Sequence, residues 1–430
     1  MRWAVTDSNT AAEPSSPLQI PDYRLFWLSR FSSVLATTGM VVIIGYQLYD
    51  VARSHYGMSI TQAAFQLGLL GLVQFIPMFI LTPIAGVAAD RFDRRILGAS
   101  AAGVDLLIAL SLAVSTYTGA VSLPLIYVLA AMHGAARVFV GPALSSIVPN
   151  IVPPSLLPRA IAMNSIAWQV GSVAGPAIAG LLFAFTPSAP YWVSTMLLLI
   201  AVAGLLSVRK QPVHEANRGQ HPVRQIIDGF KYVWNERFLL GCVTLDLFAV
   251  LMGGATALLP VFARDILHVG SEGLGIMRGA PAIGAAVIAA VLSWKPMATN
   301  VGNKMLLGVA GYGLATIGFG LSTWFPLSLL MLGLLGAADM VSVYVRSSLV
   351  QLNTPDHVRG RVSAISGLAI SASNELGEMQ SGLAAALLGA TGAVVFGGAG
   401  AIVVTLLWAV LFPELRNART FAPQYRQTSE

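Results

Sequence analysis

The chain has 430 residues, of which 56% are hydrophobic and only 10% are charged, with a formal net charge of +6. Soluble globular proteins carry roughly 25% charged residues, so this composition excludes an ordinary water-soluble enzyme and a disordered chain and indicates an integral membrane protein. The single cysteine, Cys242, excludes an intrachain disulfide and a cysteine-based metal cluster.

Apolar stretches that cross about 30 Å of hydrocarbon need roughly 20 residues each. The sequence contains twelve such stretches, in two groups of six separated by a polar gap. The first group comprises Tyr23–Tyr49, Ala64–Ala88, Ile96–Thr116, Leu123–Val148, Leu157–Phe185 and Tyr191–Val208. The second comprises Phe238–Phe262, Leu274–Ser293, Met305–Thr323, Phe325–Val345, Val362–Leu388 and Ala390–Phe412. We therefore predict an all-α integral membrane protein with twelve transmembrane helices.

The remaining segments complete the predicted domain organisation. Residues 1–22 are predicted to be a cytoplasmic tail, because they lack the apolar stretch of a signal peptide. Residues 23–208 form the N-terminal six-helix half, 209–237 a cytoplasmic linker, 238–415 the C-terminal six-helix half and 416–430 a second cytoplasmic tail. Within the linker, Arg224–Arg237 has its apolar residues on one helical face, which predicts an amphipathic helix at the membrane surface.

Lysine and arginine residues are concentrated in the two tails, the linker and alternate loops. By the positive-inside rule, this distribution places both termini in the cytoplasm. The basic balance of the chain then reflects membrane topology, and we expect no nucleic-acid partner.

An internal repeat relates the two groups of six segments. A shift of 202 residues aligns a proline and an arginine in corresponding loops, together with small residues in the segments beside them. The aligned positions include Pro153 with Pro355, Arg159 with Arg361, Gly175 with Gly377 and Arg137 with Asp339. Two pseudo-symmetric halves related by an axis along the membrane normal are typical of secondary transporters.

The loop after the second segment carries a glycine, an acid and several arginines at fixed spacing, from Gly86 to Arg95. It resembles the G-x-x-x-D-R-x-G-R-R loop of the major facilitator superfamily, with Asp93 in place of the second glycine. Asp90 stands at a helix C-terminus, where a carboxylate opposes the helix dipole and needs an outside partner. The resemblance implies the major facilitator fold, in which Gly86, Asp90, Arg91, Arg94 and Arg95 form a conformational latch against the eleventh helix.

Two further motifs support the resemblance, which covers nearly the whole chain and extends to enterobactin-type siderophore exporters and drug-efflux proteins. The fifth segment is similar to the exporter motif G-x-x-x-G-P-x-x-G-G at Gly171, Gly175, Pro176 and Gly180. Close small residues and a proline are tolerated inside a helix bundle. Arg137 resembles a family arginine linked to proton coupling.

Ionisable side chains in the predicted segments are costly, at about 2.5–3.5 kcal/mol each in mid-bilayer, and therefore indicate function. Arg30, Arg137, Asp246 and Asp339 lie one each on segments one, four, seven and ten. The resemblance implies that these helices line a central cavity, so we predict a substrate and proton site there. Glu375 and Glu378 share one helical face and are secondary proton-site candidates. Structural ion pairs remain the alternative for all of these acids, and for Asp105 a structural role is favoured.

These features predict a proton-coupled exporter, working as an antiporter by alternating access, of a siderophore or similar small amphiphilic metabolite. Multidrug efflux, import of a small molecule, and a non-transporting membrane enzyme or receptor are the alternatives. The sequence has no ATP-binding G-x-x-x-x-G-K-[ST] motif, so we expect a proton gradient as the energy source, with no cofactor, no metal and no enzyme activity. We predict a monomer with a small-molecule substrate in a bacterial-type cytoplasmic membrane.

Overall fold

The computed structural model describes residues 15–145, 147–210 and 222–422, and this part of the chain contains helices and no strand. The predicted N-terminal tail up to residue 14, the linker between 211 and 221 and the tail beyond 422 lie outside the described residues. The helices of the N-terminal half are α1 Pro21–Ser54, α2 Ile60–Arg91, α3 Arg94–Tyr117, α4 Leu123–Ser145, α5 Leu157–Phe185 and α6 Ala189–Ser207. A linker helix, Pro222–Asn235, follows them.

The C-terminal half contains α7 Arg237–Met252, α8 Gly270–Trp294, α9 Val301–Leu321, α10 Phe325–Leu352 and a 56-residue helical stretch, Asp356–Leu411. At about 1.5 Å per residue this last stretch would measure roughly 84 Å, almost three times the hydrocarbon thickness. Gly389 breaks it with φ 74° and ψ 167°, a left-handed φ that suits glycine. The stretch is therefore two crossings, α11 (356–388) and α12 (390–411). The prediction of twelve transmembrane helices in an all-α fold is confirmed.

Helix α7 does not continue regularly to the end of its predicted segment. The regular helix ends at Met252. The chain then passes through Gly253 and Gly254 into short 3₁₀, α and π turns that end at Ile266. Gly254 lies against the carbonyl of Gly377 in α11, where a side chain would collide at 2.6 Å. Irregular backbone at membrane depth occurs where it is buried in protein or lines a cavity.

Among the described residues, the close backbone contacts between the two halves lie toward one end of the bundle. At the end that carries the α1–α2 turn and Gly389, α2 packs on α11 and α5 packs on α8. Gly68 lies against Gly382, and Pro176 lies against Gly275. We call this the closed end, and the opposite end, where the linker helix lies, the open end.

The apolar core follows the same division. At the closed end a single cluster joins both halves, with Ile43 and Leu70 from the first and Phe262 and Leu332 from the second. At the open end there are two clusters, one built only from the N-terminal half and one only from the C-terminal half and the linker helix. The halves therefore separate toward the open end.

Candidate functional site

A cavity of about 460 Å³ lies between the halves. Helices α1, α2 and α4 contribute Val41, Gln74 and Arg137, and the C-terminal half contributes most of the remaining wall. The other polar lining residues are Thr256, Arg278, Tyr312, Asp339, Asn374, Glu375 and Glu378. Its size falls in the range of small-molecule sites, roughly 300–1,000 Å³. Five ionisable side chains of both signs make this cavity unusually polar for a transmembrane region.

One ion pair crosses the cavity from half to half. An Nη2 of Arg137 in α4 donates to Oε1 of Glu375 in α11 at 2.7 Å. The side chain of Glu375 is 7% exposed, whereas that of Arg137 is 41% exposed and faces the cavity. Arg137 compensates the charge of the buried Glu375 carboxylate, and the pair also couples the position of the N-terminal half to the charge of a C-terminal carboxylate.

Two other acids of the cavity have no ion pair within 4 Å among the described residues. Asp339 lies on α10 and Glu378 on α11, one turn beyond Glu375. The Cβ of Glu378 packs close to Gly71 of α2, which places this carboxyl at the seam between the halves. Arg278 of α8 lines the same cavity and donates to the Thr256 carbonyl at 3.4 Å. Arg278 was not among the predicted site residues, because it stands only four residues inside the outer end of the predicted segment Leu274–Ser293.

The structure brings together only part of the predicted four-residue group. Arg137 and Asp339 line the cavity, but within the described lining residues Arg30 and Asp246 do not occur. Asp246 instead forms a buried ion pair with Arg346 of α10. The prediction ended the tenth segment at Val345 and assigned Arg346 to a membrane-surface position. Since α10 continues to Leu352, Arg346 lies inside the bundle and neutralises Asp246.

A second buried pair also lies within one half. Nδ1 of His133 in α4 is 2.7 Å from Oδ1 of Asp105 in α3, and both side chains are 3% exposed. The contact joins two neighbouring helices of the N-terminal half. This position agrees with a structural role for Asp105.

The predicted latch loop is described in part. Gly86 and Asp90 lie outside the residues whose side chains the structure describes. Arg91 is exposed. Arg95 forms an ion pair with Asp93 at 2.9 Å and donates to the carbonyl of Val208 at the end of α6. Arg95 therefore contacts its own half in this structure.

Asp93 replaces a family glycine without backbone strain. Its φ is −59°, and its side chain accepts a hydrogen bond from the backbone N–H of Arg95 as the N-cap of α3. Such a cap stabilises a helix by about 0.5–2 kcal/mol. The hydrogen bonds donated by the Arg95 side chain hold the pKa of Asp93 below its usual value.

The small residues of the predicted exporter motif serve two different contacts. Gly171 and Gly175 lie against α1, where a side chain on Gly175 would meet the carbonyl of Leu35 at 2.7 Å. Pro176 and Gly180 lie against Gly275 and the Ser271 carbonyl of α8, in the other half. The motif thus allows α5 to approach a partner helix in each half at the closed end.

Ion pairs across the closed end were not anticipated from the sequence, because their residues flank loops. Oδ1 of Asp265, in the π turn after α7, is 3.3 Å from an Nη2 of Arg53 in α1. Its Oδ2 accepts a hydrogen bond from the Tyr49 hydroxyl at 2.5 Å. The neighbouring Arg264 is 2.9 Å from Asp50 of α1. Each half therefore provides one acid and one arginine to this closure.

Known proteins match this chain over most of its length. The family model described as Major Facilitator Superfamily matches residues 26–378. The enterobactin exporter EntS of Citrobacter koseri is 26% identical over 411 residues, covering 94% of each chain. A D-xylose–proton symporter structure superposes with a TM-score of 0.71 at 15% identity, over 91% of this chain and 98% of the symporter.

A second solved structure has the same fold in a stated conformation. It is a bacterial homologue of the human lysosomal transporter Spinster, in an inward-facing and unoccupied conformation. It superposes with a TM-score of 0.69 at 14% identity, over 95% of this chain and 97% of the homologue. At this identity the likeness establishes the fold alone. The matched family consists of transporters rather than enzymes.

Proposed function

The chain belongs to the major facilitator superfamily, and from this membership we propose that it exports a small polar metabolite from the cytoplasm in exchange for protons. It is a multi-pass membrane protein and a secondary transporter. The direction of transport is supported by the glycine and proline pattern of α5 and by the 26% identity to enterobactin exporters. A siderophore or a related secreted metabolite is the proposed cargo class, and a bacterial cytoplasmic membrane is the proposed location.

The orientation of the chain in the membrane determines which conformational state the structure represents. With both termini in the cytoplasm, the open end faces the cytoplasm and the closed end faces the outside. The structure then corresponds to the inward-facing state, in which an exporter takes up its cargo. The split of the apolar core at the open end supports this assignment.

The observation that carries the proposal is the charged cavity between the halves. Glu375 is neutralised by Arg137 across the halves, whereas Asp339 and Glu378 face the same space without an ion pair within 4 Å in the described part of the chain. Protonation of these acids removes charge from the cavity, and proton release restores it. Cargo and protons therefore compete for one site, which is the requirement for exchange. Each inward proton contributes about 2.3 kcal/mol per 100 mV of membrane potential.

The make-up of the cavity favours polar cargo over the apolar compounds typical of multidrug efflux. Among the described lining residues, Tyr312 provides the aromatic surface, and neither phenylalanine nor tryptophan contributes. Drug-sized apolar ligands are bound mainly by apolar and aromatic side chains. Nine of the lining residues carry polar side chains, which suit hydrogen bonding to hydroxyl, carboxyl or amide groups.

The test measures proton movement in inside-out vesicles that contain the protein and a pH-sensitive dye. Comparing metabolites exported by cells with and without the gene, in iron-poor medium, identifies cargo candidates by mass spectrometry. Addition of true cargo should release protons from energised vesicles. Asp339→Asn and Glu378→Gln should abolish this release, because an amide carries no titratable proton.

Glu272→Gln is the matched control, since Glu272 is an exposed acid at the start of α8 near the closed end. It should retain full proton release. Cargo transport that continues at an unchanged rate after the proton gradient is dissipated would contradict proton coupling.

A further inference from the structure

Arg30 is a cation inside the bundle that the central cavity does not use. It lies nine residues into α1, about 14 Å from the start of the helix. No ion pair within 4 Å neutralises it in the described part of the chain, and its Nε is buried without a hydrogen-bond partner there. A lone charge in a membrane-spanning helix costs several kcal/mol unless a partner compensates it. An arginine within a membrane-spanning helix that has no ion pair among the described residues therefore indicates a binding function.

The surroundings of Arg30 on α5 supply the rest of a site. The guanidinium carbon of Arg30 lies 5.3 Å from the centre of the Trp168 ring. Half of the Trp168 side chain is exposed. One turn earlier, Oδ1 of Asn164 is buried and has no hydrogen-bond partner among the described residues. Trp27, one turn before Arg30, donates to the carbonyl of Met163 beside Asn164. This part of α1 therefore lies alongside the part of α5 that carries Asn164 and Trp168.

Helical geometry directs this group toward the space between the halves. On α5, Gly171 and Gly175 face α1, and Pro176 and Gly180 face α8. At 100° per residue, Trp168 lies on the face between these two directions. Ser165 and Ser172 share that face, whereas Ile166 and Val170 lie on the opposite side of the helix. The polar strip, flanked by α1 and α8, faces the space between the halves at the open end, which we call the vestibule. The apolar strip faces lipid.

We infer that Arg30, Asn164 and Trp168 form a vestibule site that binds a small aromatic anion. The inference rests on the proposed function, because it names the chemical class of cargo that the open end first receives. Arg30 binds the carboxylate or catecholate of the ligand in a charge-assisted hydrogen bond. The exposed part of the Trp168 ring packs against the ligand ring, and Asn164 accepts from a ligand hydroxyl.

The site is separate from the central cavity in position and in charge. The cavity contains three acids and two arginines, whereas Arg30 has no acid within ion-pair distance in the described residues. An anion therefore binds first at Arg30 and meets the acids later.

The test measures binding to the purified protein in detergent, without a membrane or a proton gradient. The probes are benzoate, cyclohexanecarboxylate and benzylamine, which separate the anionic charge from the aromatic ring. We expect benzoate to bind, cyclohexanecarboxylate to bind severalfold more weakly, and benzylamine at least tenfold more weakly. Calorimetry gives the affinities, and quenching of tryptophan fluorescence reports contact with Trp168.

Arg30→Ala should weaken benzoate binding by roughly 10- to 100-fold, the usual effect of losing a hydrogen bond to a charged group. Arg30→Lys keeps the charge and guards against a folding defect in the alanine variant, and should lose several-fold because lysine lacks the planar fork. Trp168→Leu should remove the benzoate-dependent quenching. Arg24→Ala is the matched control, since Arg24 is an exposed arginine on the same helix, and should bind as the wild type does.

Equal benzoate affinity in the wild type and Arg30→Ala, or equal affinity for benzoate and benzylamine, would overturn the vestibule site. Absence of benzoate binding in the wild type would do the same. Because binding is measured without a gradient, failure of proton coupling in vesicles would leave this result unaffected. The two proposals can therefore fail separately.

Discussion

Two arginine–carboxylate pairs within the helix bundle have different surroundings. Asp246 and Arg346 both belong to the C-terminal half, and their side chains are 8% and 10% exposed. Arg137 and Glu375 belong to different halves, and Arg137 remains 41% exposed while Glu375 is 7% exposed. In the pair within one half, both side chains are buried. The pair between the halves keeps its arginine in contact with the cavity.

The difference follows from what each pair must do during transport. In alternating access, each half moves largely as a rigid body. A contact within one half survives that movement and can be fully buried, as Asp105 and His133 also are. Ion pairs between halves must form and break, and a partner that stays in contact with water is desolvated less, which lowers the cost of separating the pair. The buried pair Asp246–Arg346 fits a structural role, and the half-exposed pair Arg137–Glu375 fits the transport role that we propose for it.

The largest expected effect is on the buried pair within one half. Arg346→Leu leaves Asp246 as an unpaired buried carboxylate, which should cost about 3–5 kcal/mol of stability. We expect loss of the monodisperse peak in size-exclusion chromatography, or a strongly lowered melting temperature. The double variant Asp246→Leu with Arg346→Leu removes both charges and should recover most of the stability. A normal melting temperature in Arg346→Leu alone would show that Asp246 has another partner.

A smaller effect is expected at the closed end, where Asp265 meets Arg53 and Tyr49. The side chains of Arg53 and Asp265 are 27% and 16% exposed, so their ion pair should contribute about 0.2–1 kcal/mol, or roughly a 1.4- to fivefold change in the ratio of the two conformations. Asp265→Asn should shift the protein toward the state opened at this end. Nitroxide labels on Tyr56→Cys and Trp324→Cys, one exposed position in each half, measure the distance by pulsed electron paramagnetic resonance.

Native Cys242 is buried and should not take up the label. The charge-swapped variant Arg53→Asp with Asp265→Arg is the control, because it restores the attraction with the signs exchanged. It should return the distance distribution toward that of the wild type. An unchanged distribution in Asp265→Asn would mean that apolar packing alone closes this end.

At Asp93, whose partner Arg95 belongs to the same half, we expect an effect on stability and none on the ratio of the two conformations. Asp93→Ala removes the N-cap of α3 and should lower the melting temperature by a few degrees at pH 7. Because Arg95 lowers the pKa of Asp93 below the ordinary 3.8, the charge contribution is present above that pH and is lost as pH falls through the lowered pKa. The difference between wild type and variant should therefore shrink below about pH 4.

Asp93→Asn separates the two contributions, since asparagine also caps helices well but carries no charge. It should lose less stability than Asp93→Ala. Equal loss in both variants would assign the whole effect to the charge.

The sequence predicted the number of helices, because each crossing needs its own apolar stretch and charged loops mark the ends. It also predicted that Arg137, Asp339, Glu375 and Glu378 merit attention, because charges within apolar stretches are rare. It did not predict which of them meet. The partner of Asp246 depends on how far α10 continues past Val345, and a helix that projects beyond the hydrocarbon has no sharp apolar boundary. Asp265, three residues past the predicted end of the seventh segment at Phe262, was missed for the same reason.

The sequence also did not predict the irregular turns after Met252. Gly253 and Gly254 are common residue types in transmembrane helices, and apolarity continues through them. The helix is interrupted at these two glycines, where α11 and Tyr312 pack against them. Tertiary contacts, rather than local composition, decide whether a glycine pair interrupts a helix.

The one-residue turn at Gly389 also bears on how the chain is made. The 54 residues of Val358–Leu411 contain two crossings, and the turn between them offers no hydrophilic loop for the insertion machinery to hold outside the membrane. We therefore expect helices α11 and α12 to enter the bilayer together as a hairpin during synthesis, and Glu375 and Glu378 to enter with them. In that order of insertion, two cavity acids arrive together after the helix that carries Arg137.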